Sequence, residues 1–209
     1  MRDILVNGGD RGNGITPSTR ETEREKRRPA LWYRTHRMVF ELQPHLVGDL
    51  LELRPLRPDD WDGLFTVASD PLIWEQHPAR DRYKEEVFNE FFREALETGS
   101  AFVVIDRKTQ RTIGSSRYFG LDLEKREIEI GWTFLARSHW GGKYNAELKR
   151  LMLDHAFKFV ETVVLLVAPT NGRSRKAVER IGGVMRERRA GADPHRQNVE
   201  HLVYEIKKP

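Results

Sequence analysis

The chain of 209 residues contains no cysteine. Disulfide staples, thiolate metal sites and a cysteine-linked covalent intermediate are thereby excluded, so any group transfer favours direct attack by the acceptor. Long apolar runs are missing as well. None approaches the roughly 18 residues of a membrane span, and no charged-then-apolar signal segment opens the chain. A cytoplasmic protein without a membrane partner is expected. Metal-ligand spacing such as H-E-x-x-H is absent around His155, His195 and His201, so no metal is expected either. The net charge of +4 invites a nucleic-acid partner until it is located. Residues 1–37 hold nine Arg or Lys against five Asp or Glu, which leaves 27 of each in the remainder. The body is formally neutral. Nucleic acid is therefore expected only through this leader, if at all.

Residues 1–37 show no sustained period and read as a flexible basic extension before a single domain over 38–209. Within that domain "LLELRPL" (50–56) alternates like a strand, and a helix follows through Asp59 or Asp60. "DPLIW" (70–74) reads as a turn or short helix. Residues 83–97 carry apolar side chains at 87, 88, 91, 92, 95 and 96, one face of a helix. Strands over 100–107 and 111–120 form a hairpin, with a third strand over 126–136. A helix over 143–160 places Glu147, Arg150, Asp154 and Lys158 on a water-facing stripe, and Leu148, Leu151, Met152, His155 and Phe159 on a core stripe. His155 there reads as a satisfied core histidine. "TVVLLVA" (162–168) is continuous and apolar, the mark of a strand buried on both faces and joined to 126–136 by a parallel crossover. A short helix (174–183) and a closing antiparallel pair complete an α/β mixed sheet with helices on both faces.

"WGGKYN" (140–145) lies between a strand and a helix. A helix start offers free N–H groups and the positive end of the helix dipole, and Gly141 and Gly142 let the main chain approach a diphosphate. Arg137 and Lys143 flank the spot with positive charge. A tight turn explains such a glycine pair equally well when it is taken alone. About thirty residues on stand Asn171, Ser174 and Gly182.

With that context the chain resembles the GNAT superfamily of acetyl-CoA-dependent N-acetyltransferases, over about 43–207, and within it the RimJ/RimL-like branch. Trp140 stands where that branch opens its pyrophosphate loop with an aromatic. Two positions depart from the family pattern: Lys143 and Asn145 replace small residues. The resemblance implies a mostly antiparallel sheet with a central, splayed parallel strand pair. It implies acetyl-CoA as co-substrate, held by Phe134, Leu135, Ala136, Arg137, Trp140, Gly141, Gly142, Lys143, Tyr144, Asn145, Asn171 and Ser174. Backbone amides around Phe134–Ala136 would carry the pantetheine, and one or two arginines of 173–189 would reach a further phosphate. It also implies an acceptor-side loop at "DPLIWEQHP" (70–78), with Trp74, His77 and Tyr83 either lining the acceptor pocket or serving as packing residues.

An amine must be uncharged to attack a thioester. A lysine amine (pKa ~10.4) is almost wholly protonated at neutral pH, and an α-amine near ~8 is about one-tenth free. A base is needed. Glu129 lies where histone-type members of the superfamily place theirs, with the bland alternative that Glu127 and Glu129 line a solvated sheet face. Ser174 is the candidate acid for the thiolate, against a plain helix-capping role. The acceptor is a protein N-terminus or a small primary amine, and a homodimer is compatible with the family. The alternative is a non-catalytic acyl-CoA-binding sensor or scaffold of the same fold.

Overall fold

The computed structural model describes residues 39–190 and 199–209. The leader (1–37) and His195 lie outside the described residues. Eight strands form one sheet: β1 (Leu46–Val47), β2 (Leu51–Pro55), β3 (Ala101–Asp106), β4 (Arg111–Asp122), β5 (Glu127–Leu135), β6 (Thr162–Val167), β7 (Val184–Arg189) and β8 (His201–Lys207). Their spatial order is β1-β2-β3-β4-β5-β6-β8-β7. Every neighbouring pair is antiparallel except β5–β6, which is parallel. Four helices accompany the sheet: α1 (Trp61–Ala68), α2 (Glu85–Glu97), α3 (Lys143–Ala156) and α4 (Gly172–Arg180). Single 3-10 turns cover Pro58–Asp60, Pro71–Ile73 and Arg137–His139.

Two cores, one on each face, follow from strand alternation. Phe102 and Val104 of β3 face a core with Leu148, Leu151 and Met152 of α3. Ala101 and Val103 face a second core, built by Leu64 of α1 and by Phe88, Phe91, Phe92 and Ala95 of α2. The apolar face expected for 83–97 is thus the one buried. His155 is buried as a core histidine should be, with Nε2 2.8 Å from the Glu41 carbonyl and burial lowering its pKa.

The α3 helix ends at Ala156 rather than 160, where turns over 157–159 take over. Glu147 is a larger correction. It faces inward, 8% exposed, and its carboxylate accepts the N–H groups of Asp49, Leu50 and Leu51 at 2.7, 2.8 and 2.9 Å.

The parallel pair holds only over Glu127–Glu129 against Thr162–Val164. Beyond it β5 pairs with β4 and β6 with β8, so the two strands part. A bulge marks the parting. Ser115 pairs with Phe134 and Arg117 with Gly131, leaving Ser116 opposite two residues, and one of them, Trp132, has φ +51°. The extra residue reverses the alternation: Ile128 and Ile130 face the α3 core, and so does Leu135, while Phe134 turns to the α2 core.

Candidate active site

The approach to α3 is built in steps. Trp140 N–H bonds the Arg137 carbonyl at 3.1 Å, which closes the 3-10 turn. Gly141 and Gly142 follow with φ of +104° and +118°, a region other side chains seldom enter, and open space surrounds both Cα atoms. Ala146 is the first amide to bond back into the helix, to the Gly142 carbonyl at 2.8 Å, and no side chain caps the end. The amides of Lys143, Tyr144 and Asn145 therefore point out of the helix start with the dipole behind them. Lys143 already lies in the first helical turn, so its departure from the family glycine carries no backbone strain.

Four expected contributors stand differently. The Trp140 amide is engaged by its own turn, and the indole Nε1 donates to the Leu135 carbonyl at 2.9 Å. Arg137 leaves the cleft to pair with Asp70. The Tyr144 ring packs edge-on against His139, centroids 4.7 Å apart, and contributes only its amide. The Ala136 amide bonds the Ile113 carbonyl at 2.7 Å, so ladder alternation leaves Leu135, not Ala136, with an N–H turned toward the parted strand. The cations that do line the cleft are Lys143, Arg173 and Arg180. Arg173 lies over the Trp140 ring at 4.0 Å and donates to the Ile73 carbonyl at 2.9 Å, tying the 70–77 segment to the glycine turn.

Two adjoining clefts run from this turn to the parting of β5 and β6, an outer one of about 390 Å³ at the glycine turn and an inner one of about 170 Å³ at the parting. They share Trp74, His77, Thr133, Asn145, Asn171 and Ser174. Asn171, not Ser174, caps α4, its Oδ1 accepting the Ser174 N–H at 3.0 Å. The capping role weighed for Ser174 is thus taken, and this serine sits half-buried in both clefts. Trp74 is buried, with Nε1 donating to the Ala68 carbonyl at 2.7 Å. His77 is kept neutral by burial and then by the Arg82 charge, its pKa pushed down to about 3. Tyr83 is exposed and outside both clefts; its neighbour Arg82 lines the inner one.

Glu129 is 7% exposed at the last paired position before the strands part, and Glu127 binds Arg186. Glu129 thus does not line a solvated face, while Glu127 stays half-buried in its ion pair. Sequence reasoning missed Lys149. It is 5% exposed, lines the inner cleft and donates from Nζ to Thr133 Oγ1 at 2.7 Å, while Thr133 Oγ1 meets Ser116 Oγ at 2.8 Å. The spacing of Asn145 and Lys149, one turn apart on α3, was the available signal. Burial lowers the Lys149 pKa to about 7, and the Glu129 charge opposes that fall. The unfolded chain keeps this proton up to ~10.4, so it binds more protons than the folded one between those limits, and stability rises with pH there. Denaturant titrations from pH 7 to 10 should show a rise of up to ~1.4 kcal/mol per pH unit from this residue. Lys149→Met should flatten that rise.

The model of the acetyltransferase (GNAT) domain matches residues 51–184. No curated protein matches in sequence. Among solved structures, a GCN5-related N-acetyltransferase from Brucella melitensis is similar at 19% identity, covering 81% of this chain and 80% of that one, with a TM-score of 0.71. The spermidine N-acetyltransferase from Vibrio cholerae, in complex with CoA and spermine, is 19% identical over 77% of this chain and 96% of that one, with a TM-score of 0.59. RimJ from Mycobacterium smegmatis, in complex with CoA-disulfide, is 20% identical over 81% and 90%, with a TM-score of 0.60. At these identities the structures speak to the fold: a mostly antiparallel sheet that parts at one parallel pair. The family model covers well over half of the chain, and with that match the protein belongs to the GNAT acetyltransferases and is an N-acetyltransferase.

Proposed function

We propose that the two clefts hold acetyl-CoA and that the chain moves the acetyl group directly to a primary amine, a small molecule or a protein N-terminus as in the RimJ/RimL-like branch. The observation that carries this reading is the uncapped start of α3 beside the parting strands. The amides of Lys143, Tyr144 and Asn145 fit a diphosphate, and Lys143, Arg173 and Arg180 supply the positive charge around it. Phe134, Leu135 and the Leu135 amide fit an extended pantetheine arm between β5 and β6. CoA in one of these neighbouring solved structures and CoA-disulfide in the other support the same kind of ligand here.

The coenzyme supplies an activated acetyl thioester, and the protein supplies position and proton handling. Glu129 itself lines neither cleft; electrostatically coupled to Lys149, which does, it accepts through an intervening water the proton that the acceptor ammonium must lose. Ser174 lies in both clefts with its amide held by Asn171, placed to protonate the departing sulfur. The loss of cysteine chemistry agrees with direct transfer inside a ternary complex.

Calorimetric titration with acetyl-CoA tests the ligand, and a panel of primary amines tests the transfer. Micromolar or tighter binding and acetylation of at least one amine are expected. Gly142→Val forces a β-branched residue into φ +118°, and binding should weaken by about 10- to 100-fold while the fold persists. Absent binding in the wild type overturns the reading. Binding without transfer to any amine favours the sensor or scaffold instead.

A further inference from the structure

One cation in the inner cleft has no task in the reading above. Arg82 lies away from the glycine turn and lines only the inner cleft. It sits over the rings of Trp74 and Phe91, at 5.6 and 4.7 Å, and burial holds its pKa down to about 10. Asp81 and Glu94 act on it only at a distance; among the described residues no carboxylate reaches it. A half-buried guanidinium held against two aromatic faces with no described carboxylate in reach suits an anion entering the cleft.

His77 sharpens the point. Its Nδ1 accepts the Ala79 N–H at 2.9 Å, so a neutral ring carries its proton on Nε2. Nε2 lies 3.4 Å from Arg82 Nη1. Two donors thus face each other, and neither can serve the other. A carboxylate oxygen satisfies both. The rest of the lining agrees, because none of the described residues of either cleft is an Asp or Glu. A polycation would find no counter-charge along these walls.

We infer that the acceptor is an amine that carries a carboxylate, read by the Arg82 guanidinium together with His77 Nε2–H. This rests on the acetyltransferase reading of the cleft and names its substrate class. The carboxylate has two sources: the α-carboxylate of a free amino acid, or an acidic side chain at a peptide N-terminus.

The test uses two matched pairs, alanine with alaninamide and Glu-Ala-Ala-amide with Gln-Ala-Ala-amide, plus spermidine. Each is titrated calorimetrically into the CoA-loaded protein, where no acetyl group is present, and each is assayed for acetylation. In at least one pair the carboxylate member should bind, and show kcat/KM, about 10- to 100-fold better, carried by KM. The pair that discriminates identifies the source. Arg82→Gln should bring that ratio to within about threefold, with the greater loss falling on the carboxylate member. Arg82→Lys, which keeps the charge and loses the planar fork, should retain part of the preference even if the glutamine variant folds poorly. Equal binding within both pairs, preference for spermidine, or equal losses for charged and uncharged members in both variants overturns the inference. Carboxylate-dependent binding with no acetylation leaves this site standing and removes the transfer reading instead.

Discussion

Glu147→Ala should destabilise the protein by about 3–5 kcal/mol, the largest loss expected from any single truncation on α3. Its carboxylate accepts three main-chain N–H groups from the turn that joins β1 to β2, nearly a hundred residues away in sequence. The turn closes tightly, with Gly48 N–H on the Leu51 carbonyl at 2.8 Å, and a Cβ on Gly48 would come 2.5 Å from Glu147 Oε1. Leu51 is fully buried, so its amide cannot turn to water when the carboxylate is gone. Urea unfolding should report the loss as a lower midpoint at unchanged slope. Glu147→Gln separates charge from shape. Its one carbonyl oxygen can still serve Leu50 and Leu51, but its NH2 group then meets the Asp49 N–H, donor against donor. About half of the alanine loss is expected. Coenzyme binding in the surviving folded protein should be unchanged, because Glu147 lines neither cleft.

Glu147 also shows where sequence reasoning stops. Helical periodicity separates α3 into stripes correctly, and Leu148, Leu151, Met152 and His155 are buried as the period requires. The period treats any charged residue off that stripe as solvent-facing, whereas Glu147 and Lys149 are both buried. Their partners lie on the β1–β2 turn and on β5, and nothing in the helix itself announces them. The bulge at Trp132 is hidden for a similar reason. A tryptophan at positive φ violates local preference, and the pairing that holds it there comes from β4. The glycine turn was legible because its requirement is local: positive φ at two successive positions admits little else. Asn171 and Ser174 are legible as a pair, but of the two it is Asn171 that caps the helix, not Ser174, for which capping stood as the alternative to an acid role. In the segment 70–83 no period exists to guide the choice, and Arg82 rather than its neighbour Tyr83 enters the cleft.

Glu129→Gln should lower kcat about 10²- to 10³-fold at neutral pH, with coenzyme affinity unchanged. The strand position explains the expectation. Glu129 is the last β5 residue paired with β6, so it stands at the inner end of the gap in which the thioester would lie. The amide isostere preserves the shape of a buried side chain while removing its charge and its capacity to take a proton. An acceptor α-amine with pKa ~8 is about one-tenth free at pH 7 and mostly free at pH 9, so it then needs the base less. The deficit of the variant should therefore narrow toward about tenfold as pH rises through that range. A purely structural role for Glu129 would leave the deficit independent of pH. The substitution also removes the charge that holds up the Lys149 pKa, so the stability rise attributed to Lys149 should begin at lower pH in the variant. Rate profiles and denaturant titrations on the same protein thus read one carboxylate in two ways. Wild-type turnover in Glu129→Gln at neutral pH would move the proton-accepting role to a group that lines the cleft itself.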